Sequence, residues 1–450
     1  MKKRNRARQP ALLLGLALLT ACSPLKKGGA ALPNIILITI DALRADHLSC
    51  YGYPFPTSPH MDAIARESVV FEYAFCTLPK TSASLASLMT GLHPFVHKTG
   101  PSMDALKAEF ITLAEALKMR GYFNIAVVDN SNLSPKFGFG QGFDEYIGVY
   151  NKRKDKREST PFITRTILDF LENNKKAPFF LWAHYIETHT PYLPPDEFVE
   201  ARPPGRRIKD IKKKILVNID IWNPAPDPDE GYIVSLYDAA IKYIDSEIEK
   251  ISAAFFDRGY QKNTIFILTS DHGEELGEHN LFFDHGPLTF SSSTRVPLIM
   301  FVPGERGRRV KQPVSLMDIY PTLLEKAGLV PPYEIQGKNV FVRSKDRFLL
   351  IPGLVETFSV VQERYHLVKV DAQLAEELGL EKVYFFDLIK DPEEKTNMAS
   401  KQKDLQALME EKYLEFFNRH GYLRSPKDAQ EKPKLSKEEI ERLKALGYIR

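Results

Sequence analysis

Cysteine and tryptophan are scarce, with three Cys and two Trp in 450 residues. One cysteine, Cys22, belongs to an export segment described below, which leaves Cys50 and Cys76. Two cysteines do not make a disulfide framework, and spacing does not say whether they pair. Charge excess is also missing: 61 Lys and Arg stand against 58 Asp and Glu, which removes the basic footprint of a nucleic-acid protein. Internal repeats are absent. With 43% hydrophobic and 26% charged residues, the chain reads as globular, long enough for one large or two moderate domains.

The start departs from that pattern. Lys2, Lys3, Arg4, Arg6 and Arg8 precede the apolar run Ala11–Leu19, and Leu19-Thr20-Ala21-Cys22 follows. The run is too short for a spanning helix and reads as a signal peptide over residues 1–21. The tetrad resembles the lipobox of bacterial lipoproteins, which implies cleavage before Cys22 and a lipid on its sulfur. Removing the signal leaves 56 basic against 58 acidic residues, a net charge of −2. The expected location is therefore the bacterial cell envelope, with membrane attachment through the N-terminal lipid and no nucleic-acid partner.

Residues 22–33, rich in Lys, Gly and Ala, read as a tether. Asn34–Ile40 is an almost unbroken β-branched run, expected for a strand buried on both faces, and it ends in Asp41. Helices are expected over Pro59–Glu67, Ser82–Met89, Met103–Met119, Thr160–Glu172, Tyr232–Phe256 and Ser315–Ala327. Strands are expected over Val69–Tyr73, Ile125–Val128, Phe179–Tyr185, Thr264–Leu268 and Val296–Val302. This alternation indicates a doubly wound α/β domain over residues 34–330. Short strands at Phe348–Pro352, Phe358–Gln362, Tyr365–Val370 and Lys382–Asp387, then a helix over Lys403–Phe417, suggest a smaller antiparallel subdomain over 331–423. Residues 424–450 form a charged tail whose last helix, Ser436–Leu446, is capped by Ser436 with Glu439 three residues on. The clusters Lys152–Arg157 and Arg206–Lys214 read as solvated faces or as contacts to anionic headgroups.

Three places carry chemistry. Asp41 ends a central strand, where open α/β sheets place ligands. Thr81 opens a short helix whose unpaired N–H groups suit an anion. Asp271 and His272 close another strand. Two carboxylates, an imidazole and a hydroxyl make a site for a divalent cation that also lowers the hydroxyl's pKa.

From Asn34 onward the chain resembles the sulfatase family of the alkaline phosphatase superfamily. The resemblance rests on Ile40-Asp41-Ala42-Leu43-Arg44-Ala45-Asp46-His47-Leu48, Leu88-Met89-Thr90-Gly91 and His189-Thr190-Pro191-Tyr192. It continues through Thr269-Ser270-Asp271-His272-Gly273-Glu274, Thr294-Arg295-Val296-Pro297-Leu298 and Met317-Asp318-Ile319-Tyr320-Pro321-Thr322. It implies a sulfatase-like domain with a mixed central sheet, a small C-terminal sheet and a metal at the sheet's end. It also implies Asp41, Thr81, Asp271 and His272 as metal ligands, His189 and His285 as catalytic groups, and Asn130 and Ser84 at the substrate. Glu187, His189 and His285 leave room for a second metal.

Formylglycine sulfatases carry Cys-x-Pro-x-Arg ten residues before the glycine of Thr-Gly. Here that position is Thr81, in Thr81-Ser82-Ala83-Ser84-Leu85. Cys76 lies fifteen residues before Gly91, its proline is one place late and the arginine is missing. Thr81 therefore resembles the nucleophile of the family's phosphoryl-handling relatives. A sulfated threonine has no second hydroxyl through which to collapse, whereas a phosphothreonine is resolved by in-line attack of water or an acceptor alcohol. The expected substrate is an anionic ester, lipid- or glycan-linked, with phosphoric esters first, sulfuric esters as the alternative, and a silent binding lipoprotein as a further one. Ala42 replaces the second Asp of the family's pair, so one divalent ion is expected, zinc or manganese ahead of calcium. Replacing Cys22 with Ser should abolish lipidation and partitioning into the detergent phase; unchanged partitioning of the variant would contradict the lipobox reading.

Overall fold

Asn34–Ile40 is buried at every position, as its β-branched composition requires of a strand flanked on both sides and covered on both faces. It is β1, near the middle of the main sheet. The computed structural model describes residues 31–100, 104–151, 158–200, 229–421, 433 and 435–445. Within them β1 is followed by β2 (Val69–Phe71), β3 (Ala74–Phe75), β4 (Phe123–Val128), β5 (Glu145–Gly148), β6 (Phe179–Tyr185) and β7 (Thr264–Ser270). Then come β8 (Glu275–Leu276), β9 (Phe282–Asp284), β10 (Arg295–Val296), β11 (Leu298–Phe301), β12 (Arg308–Val310) and β13 (Val314–Ser315). The C-terminal strands are β14 (Phe348–Pro352), β15 (Phe358–Gln362), β16 (Tyr365–Lys369) and β17 (Val383–Asp387).

The main sheet has eight strands in the order β12-β2-β11-β7-β1-β6-β4-β5. Only β11 runs against its neighbours; the remaining adjacent pairs are parallel. Alternate residues of β1 feed opposite cores, as a period of two demands. Leu37 belongs to one core with Leu85 and Leu88 of the helix Thr81–Thr90, Leu117 of Leu113–Met119 and Leu323 of Ile319–Lys326. Ile36 and Ile38 join Ile64 of Pro59–Arg66, Ile167 of Ser159–Asn173 and Ile244 of Glu230–Asp257. The result is a doubly wound α/β domain with helices on both faces. Each fully buried aliphatic side chain contributes roughly 1.5–3 kcal/mol. A strand loaded on both faces is therefore a stiff platform for whatever its end carries.

The second sheet, β14-β15-β16-β17, is antiparallel throughout. Met409 and Tyr413 of the helix Lys403–His420 cover it, packing with Phe358, Val360 and Phe385. The chain from Leu32 onward forms one compact unit, so this lobe is fused to the first. A buried ion pair joins them. Asp318, ahead of the helix Ile319–Lys326, accepts two hydrogen bonds of 2.5 Å from Arg347, just before β14, and others from the Ser315 and Lys338 N–H groups.

Several expected elements differ in extent. Of the expected helix Met103–Met119, whose first residue lies outside the described ones, residues 104–112 are not helical and Leu113–Met119 is, because Thr112 and Glu115 form a capping box that starts it there. Ahead of it, the Leu106 N–H is bonded to the Phe137 carbonyl. The expected strand Val296–Val302 is divided at Pro297 into β10 and β11, which belong to different sheets. Ser315–Ala327 begins with a 3-10 turn, Leu316–Asp318, before the α-helix. The expected helix Ser82–Met89 extends over Thr81–Thr90, with Lys80 as its cap. The edge strands β5 and β12 and the helix Ala372–Leu378 were not anticipated; their runs EYIG and RRV carry almost no strand pattern.

The signal peptide, Cys22, the tether as far as residue 30 and both basic clusters, with residues 201–205 and 215–228 around the second, lie outside the described residues. Ser436 and Glu439 form the expected capping box. Among the described residues, no helix is long and apolar enough to cross a membrane. Arg347→Met should strand the Asp318 carboxylate in the interior and cost about 3–5 kcal/mol, measured by denaturant unfolding; Arg347→Lys should recover only part, since one ammonium cannot replace the two-pronged contact.

Candidate active site

Asp41 directly follows β1, Asp271 directly follows β7, and His184 is the next-to-last residue of β6. These strands are adjacent in the order β7-β1-β6, with Ile40 opposite Ser270 and Thr39 opposite His184. Parallel neighbours lie about 4.8 Å apart, so their ends bring the three side chains together. One ligand atom from each lies within 4.8 Å of the others, and all three residues are buried. Ala42 has a φ of 56°, a left-handed turn costing roughly 1–2 kcal/mol for a residue with a Cβ. The turn aims its N–H at Asp271 Oδ1, 3.0 Å away, while the Tyr237 hydroxyl donates to its carbonyl at 2.7 Å.

Thr81 and His272 join the same cluster. His272 Nδ1 donates to the Gly273 carbonyl at 2.8 Å, which leaves Nε2 as a lone pair. That nitrogen is 3.2 Å from Thr81 Oγ1, 3.3 Å from Asp271 Oδ2 and 3.8 Å from Asp41 Oδ1. Thr81 sits in the first turn of its helix, at the positive end of the helix dipole. Asn130 donates from Nδ2 to Asp41 Oδ2 at 2.7 Å, and the same oxygen lies 3.2 Å from His184 Nε2. His184 is held in turn by Thr39 Oγ1, 2.8 Å from its Nδ1.

A second layer lies beside the first. The His285 ring is 4.0 Å from the His272 ring and 5.2 Å from that of His189. His285 Nδ1 meets Glu274 Oε1 at 2.8 Å, and Tyr192 donates to Glu274 Oε2 at 3.1 Å. His189 Nδ1 donates to the Thr190 carbonyl at 2.7 Å. Lys80, next to Thr81, runs past Gly286, where a Cβ would come within 2.6 Å of Lys80 Cε. Gly286 also has a φ of +111°, so no other residue suits that place. Lys80 Nζ is 3.8 Å from Asp284 Oδ1.

The electrostatics follow from burial. Burial pushes the Asp41 carboxyl up, but the charges of His189, His184 and His272 and the His184 hydrogen bond outweigh it and hold it below the usual range. Burial and the Asp41 charge push Asp271 up, against His272 and His184. Asp41 Oδ1 and Asp271 Oδ2 are buried oxygens that accept no hydrogen bond. Two facing carboxylates with such oxygens, two imidazoles and a hydroxyl fit a divalent cation held by mixed nitrogen and oxygen donors. Burial also raises Glu274 and, with Lys80, His272 and His189, lowers His285, so both favour their neutral forms.

Asp41, Thr81, Asp271 and His272 thus come together in one cluster, with His189 and His285 beside it. Asn130 is placed on the Asp41 carboxylate. Ser84, one turn beyond Thr81, is wholly buried, and its Oγ has no hydrogen-bond partner. Leu85 is a core residue. Cys76 is buried with Sγ 3.9 Å from the Ser293 carbonyl, and burial and the Asp271 charge push its thiol well up, the opposite of an activated nucleophile. Sequence reading missed His184, Lys80 and Glu274. His184 could have been found as a polar residue closing a buried strand, the signal that marked Asp41; Lys80 and Glu274 had only their adjacency to Thr81 and His272.

Comparison with known proteins adds an independent line. The family model described as Sulfatase matches residues 33–329. A sulfatase of Formosa agariphila is 26% identical over 87% of this chain and 88% of its own. Among solved structures, the phosphonate monoester hydrolase of Agrobacterium radiobacter superposes with a TM-score of 0.70 at 22% identity, over 86% of this chain and 96% of that one. A protein solved with its substrate D-glucosamine-2-N,6-O-disulfate gives 0.68 at 20% identity, over 88% and 100%. At these identities the structures speak for the fold.

The donor set makes a direct prediction. Asp271→Ala should strip the bound divalent ion, since a hard cation loses a charged ligand without replacement, and His184→Ala should weaken its affinity about 10–100-fold. Elemental analysis after dialysis checks both, and full occupancy in Asp271→Ala would contradict the assignment.

Proposed function

The chain belongs to the sulfatase family and is a hydrolase of sulfuric or phosphoric esters, and from the site just described we propose that phosphoric esters are its substrates and Thr81 its nucleophile. The observation that carries this is the placement of Thr81 Oγ1 3.2 Å from the His272 Nε2 lone pair, beside two buried carboxylates, while the Cys76 thiol faces a carbonyl. Without an ion, His272 Nε2 accepts the Thr81 hydroxyl hydrogen bond; the same lone pair would ligate a bound cation, which would then hold the Thr81 oxygen beside it. Asn130 and His184 orient Asp41, and the Ala42 N–H orients Asp271.

A divalent ion held by Asp41, Asp271, His272 and Thr81, with His184 alongside, would supply Lewis acidity and favour the Thr81 alkoxide; its mixed donors suit zinc or manganese better than calcium. Thr81 Oγ attacks phosphorus in line, the bond to the departing alcohol breaks, and a phosphothreonine remains. Lys80, near the first turn of the Thr81 helix, supplies positive charge for the phosphoryl oxygens. In the second half water, or an acceptor alcohol, gives a proton to the His285–Glu274 pair, restoring it, and attacks phosphorus as the bond to Thr81 Oγ breaks and frees Thr81.

The departing oxygen needs a proton. With Glu274 protonated and hydrogen-bonded to His285 Nδ1, His285 carries its own proton on Nε2, a buried atom with no hydrogen-bond partner. His285 donates from Nε2 while Glu274 returns a proton to Nδ1, so the pair acts as one acid. His189, packed edge-on against His285, borders the same space. The likeness to a structure solved with a sulfated saccharide supports an anionic ester carried on a glycan, and the Leu19-Thr20-Ala21-Cys22 tetrad supports a lipid-anchored enzyme of the cell envelope. Sulfuric esters are the second reading, favoured by the sulfatase relatives; for them the single hydroxyl of Thr81 offers no route to collapse.

Thr81→Ala should lower kcat/KM for phosphoric esters about a thousandfold or more, several kcal/mol of transition-state stabilisation. Thr81→Ser should retain much of the rate, and Cys76→Ser should leave it nearly unchanged. Assaying phosphate mono- and diesters beside sulfate esters decides the class: full activity in Thr81→Ala, or turnover confined to sulfate esters, would overturn the proposal.

A further inference from the structure

The edge of the main sheet opposite the active site carries a surface that the chemistry does not use. The chain joins the domain there: the Tyr122 hydroxyl donates to the Pro33 carbonyl at 2.7 Å, Asn263 Nδ2 to the Leu32 carbonyl at 3.0 Å, and β1 begins at Asn34. Two apolar side chains stand out beside this point. Met119, at the end of its helix just before β4, is 70% exposed, and Val330 is 83% exposed. They are the two most exposed large hydrophobic residues among those described. Arg120 links their segments, its Nε 3.2 Å from the Ala327 carbonyl.

Basic residues extend from them along the same edge. Lys175 and Lys176 precede β6, Lys262 precedes β7, Arg306 precedes β12 and Arg66 precedes β2. β2, β12, β6 and β7 all point the same way through the sheet pairings, so these residues share the edge at the strands' beginnings. All five are exposed. Lys176 lies over the Phe123 ring, its Nζ 3.6 Å from the centroid. Among the described residues, Arg66, Lys175, Lys262 and Arg306 enter no ion pair, whereas Lys118, Arg258 and Arg308 at the same edge are paired with Asp144, Glu172 and Glu305. With Arg120 and Lys176, these six cations outnumber the exposed acids Glu67, Glu145, Asp257 and Glu325.

We infer that this edge docks on an anionic bilayer, with Met119 and Val330 entering the headgroup boundary and the surrounding Lys and Arg contacting phosphate. Two observations select a membrane over a protein partner. The positive surplus runs in a row along the strands' beginnings, with a small apolar tip at one end rather than a broad apolar face, as in an interfacial anchor. In addition, residues 22–31 can reach at most about 35 Å, so a lipid on Cys22 would keep this edge within reach of the surface. The inference rests on the lipoprotein reading for its setting, but not for its affinity. It has a consequence for the substrate: the seven residues of β1 span about 23 Å from the docked edge to Asp41, so the site opens away from that membrane. Esters in the surrounding compartment, rather than headgroups of the anchoring bilayer, are then the accessible ones.

The test uses the mature chain from residue 22 carrying Cys22→Ser, and so no lipid, with vesicles of phosphatidylcholine alone or mixed with phosphatidylglycerol. Cosedimentation should show weak, salt-sensitive binding to the anionic vesicles only. Lys175→Gln, Lys262→Gln and Arg306→Gln together should weaken it at least tenfold, about fivefold being expected per charge. Met119→Ser with Val330→Ser should weaken it further, and neither set should change turnover of a soluble ester. A fluorophore on Met119→Cys should be quenched by nitroxide-labelled lipid. Equal binding to both vesicle types, or no effect of the three charge changes, would overturn the docking face. Loss of lipidation in the Cys22→Ser precursor is read separately, so failure of the anchor and failure of the docking face are distinguishable.

Discussion

Two carboxylates buried side by side without hydrogen bonds to all their oxygens are the constraint on which the rest of the molecule depends. Asp41 and Asp271 occupy equivalent places after β1 and β7, one strand spacing apart, where like charges repel strongly because little water screens them. The surrounding groups answer that repulsion only in part. His184, His272 and Asn130 bear on Asp41, while two backbone N–H groups, of Ala42 and His272, bear on Asp271 Oδ1. Burial and the Asp41 charge push the Asp271 carboxyl up, a like-charge cost that a bound cation would relieve.

The fold serves this pocket by stiffness. Both faces of β1 are packed into separate cores, so the end of the strand has little freedom to let the carboxylates part. The Thr81 helix presents its first turn to the same point, its other end closed by Gly91 in a left-handed conformation. Tyr320 and Ile335 leave no room for a Cβ at Gly91. The C-terminal lobe contributes from behind: Leu354 closes on Gly286, and through it on Lys80. In this way the second sheet helps fix the only cation adjacent in sequence to the nucleophile.

Much of this was legible in the sequence because it depends on local pattern. An apolar β-branched run that stops at a lone aspartate announces a buried strand with a functional end, and Asn34–Ile40 followed by Asp41 did so. Strand β6 carries the same message in Phe179–Tyr185, yet His184 lies inside the run rather than after it and so passed as part of the strand. Its role depends on β6 lying beside β1, a long-range pairing that no local pattern encodes. Lys80 was hidden for a similar reason, since its neighbours Gly286 and Asp284 are some two hundred positions away along the chain. The helix expected from Met103 failed differently: apolar spacing continues there, but the Thr112–Glu115 box starts the helix later.

The chemistry turns on one oxygen, Thr81 Oγ1, and the most direct measurement looks for the bond it forms. Enzyme mixed with a phosphoric ester and quenched in acid during turnover should yield, by high-accuracy mass spectrometry, a phosphoryl adduct on Thr81 in the peptide spanning residues 76–91, resolved from the near-isobaric sulfo group, with Cys76 unmodified. An aldehyde at Cys76, or an adduct on any other residue, would show that the nucleophile lies elsewhere.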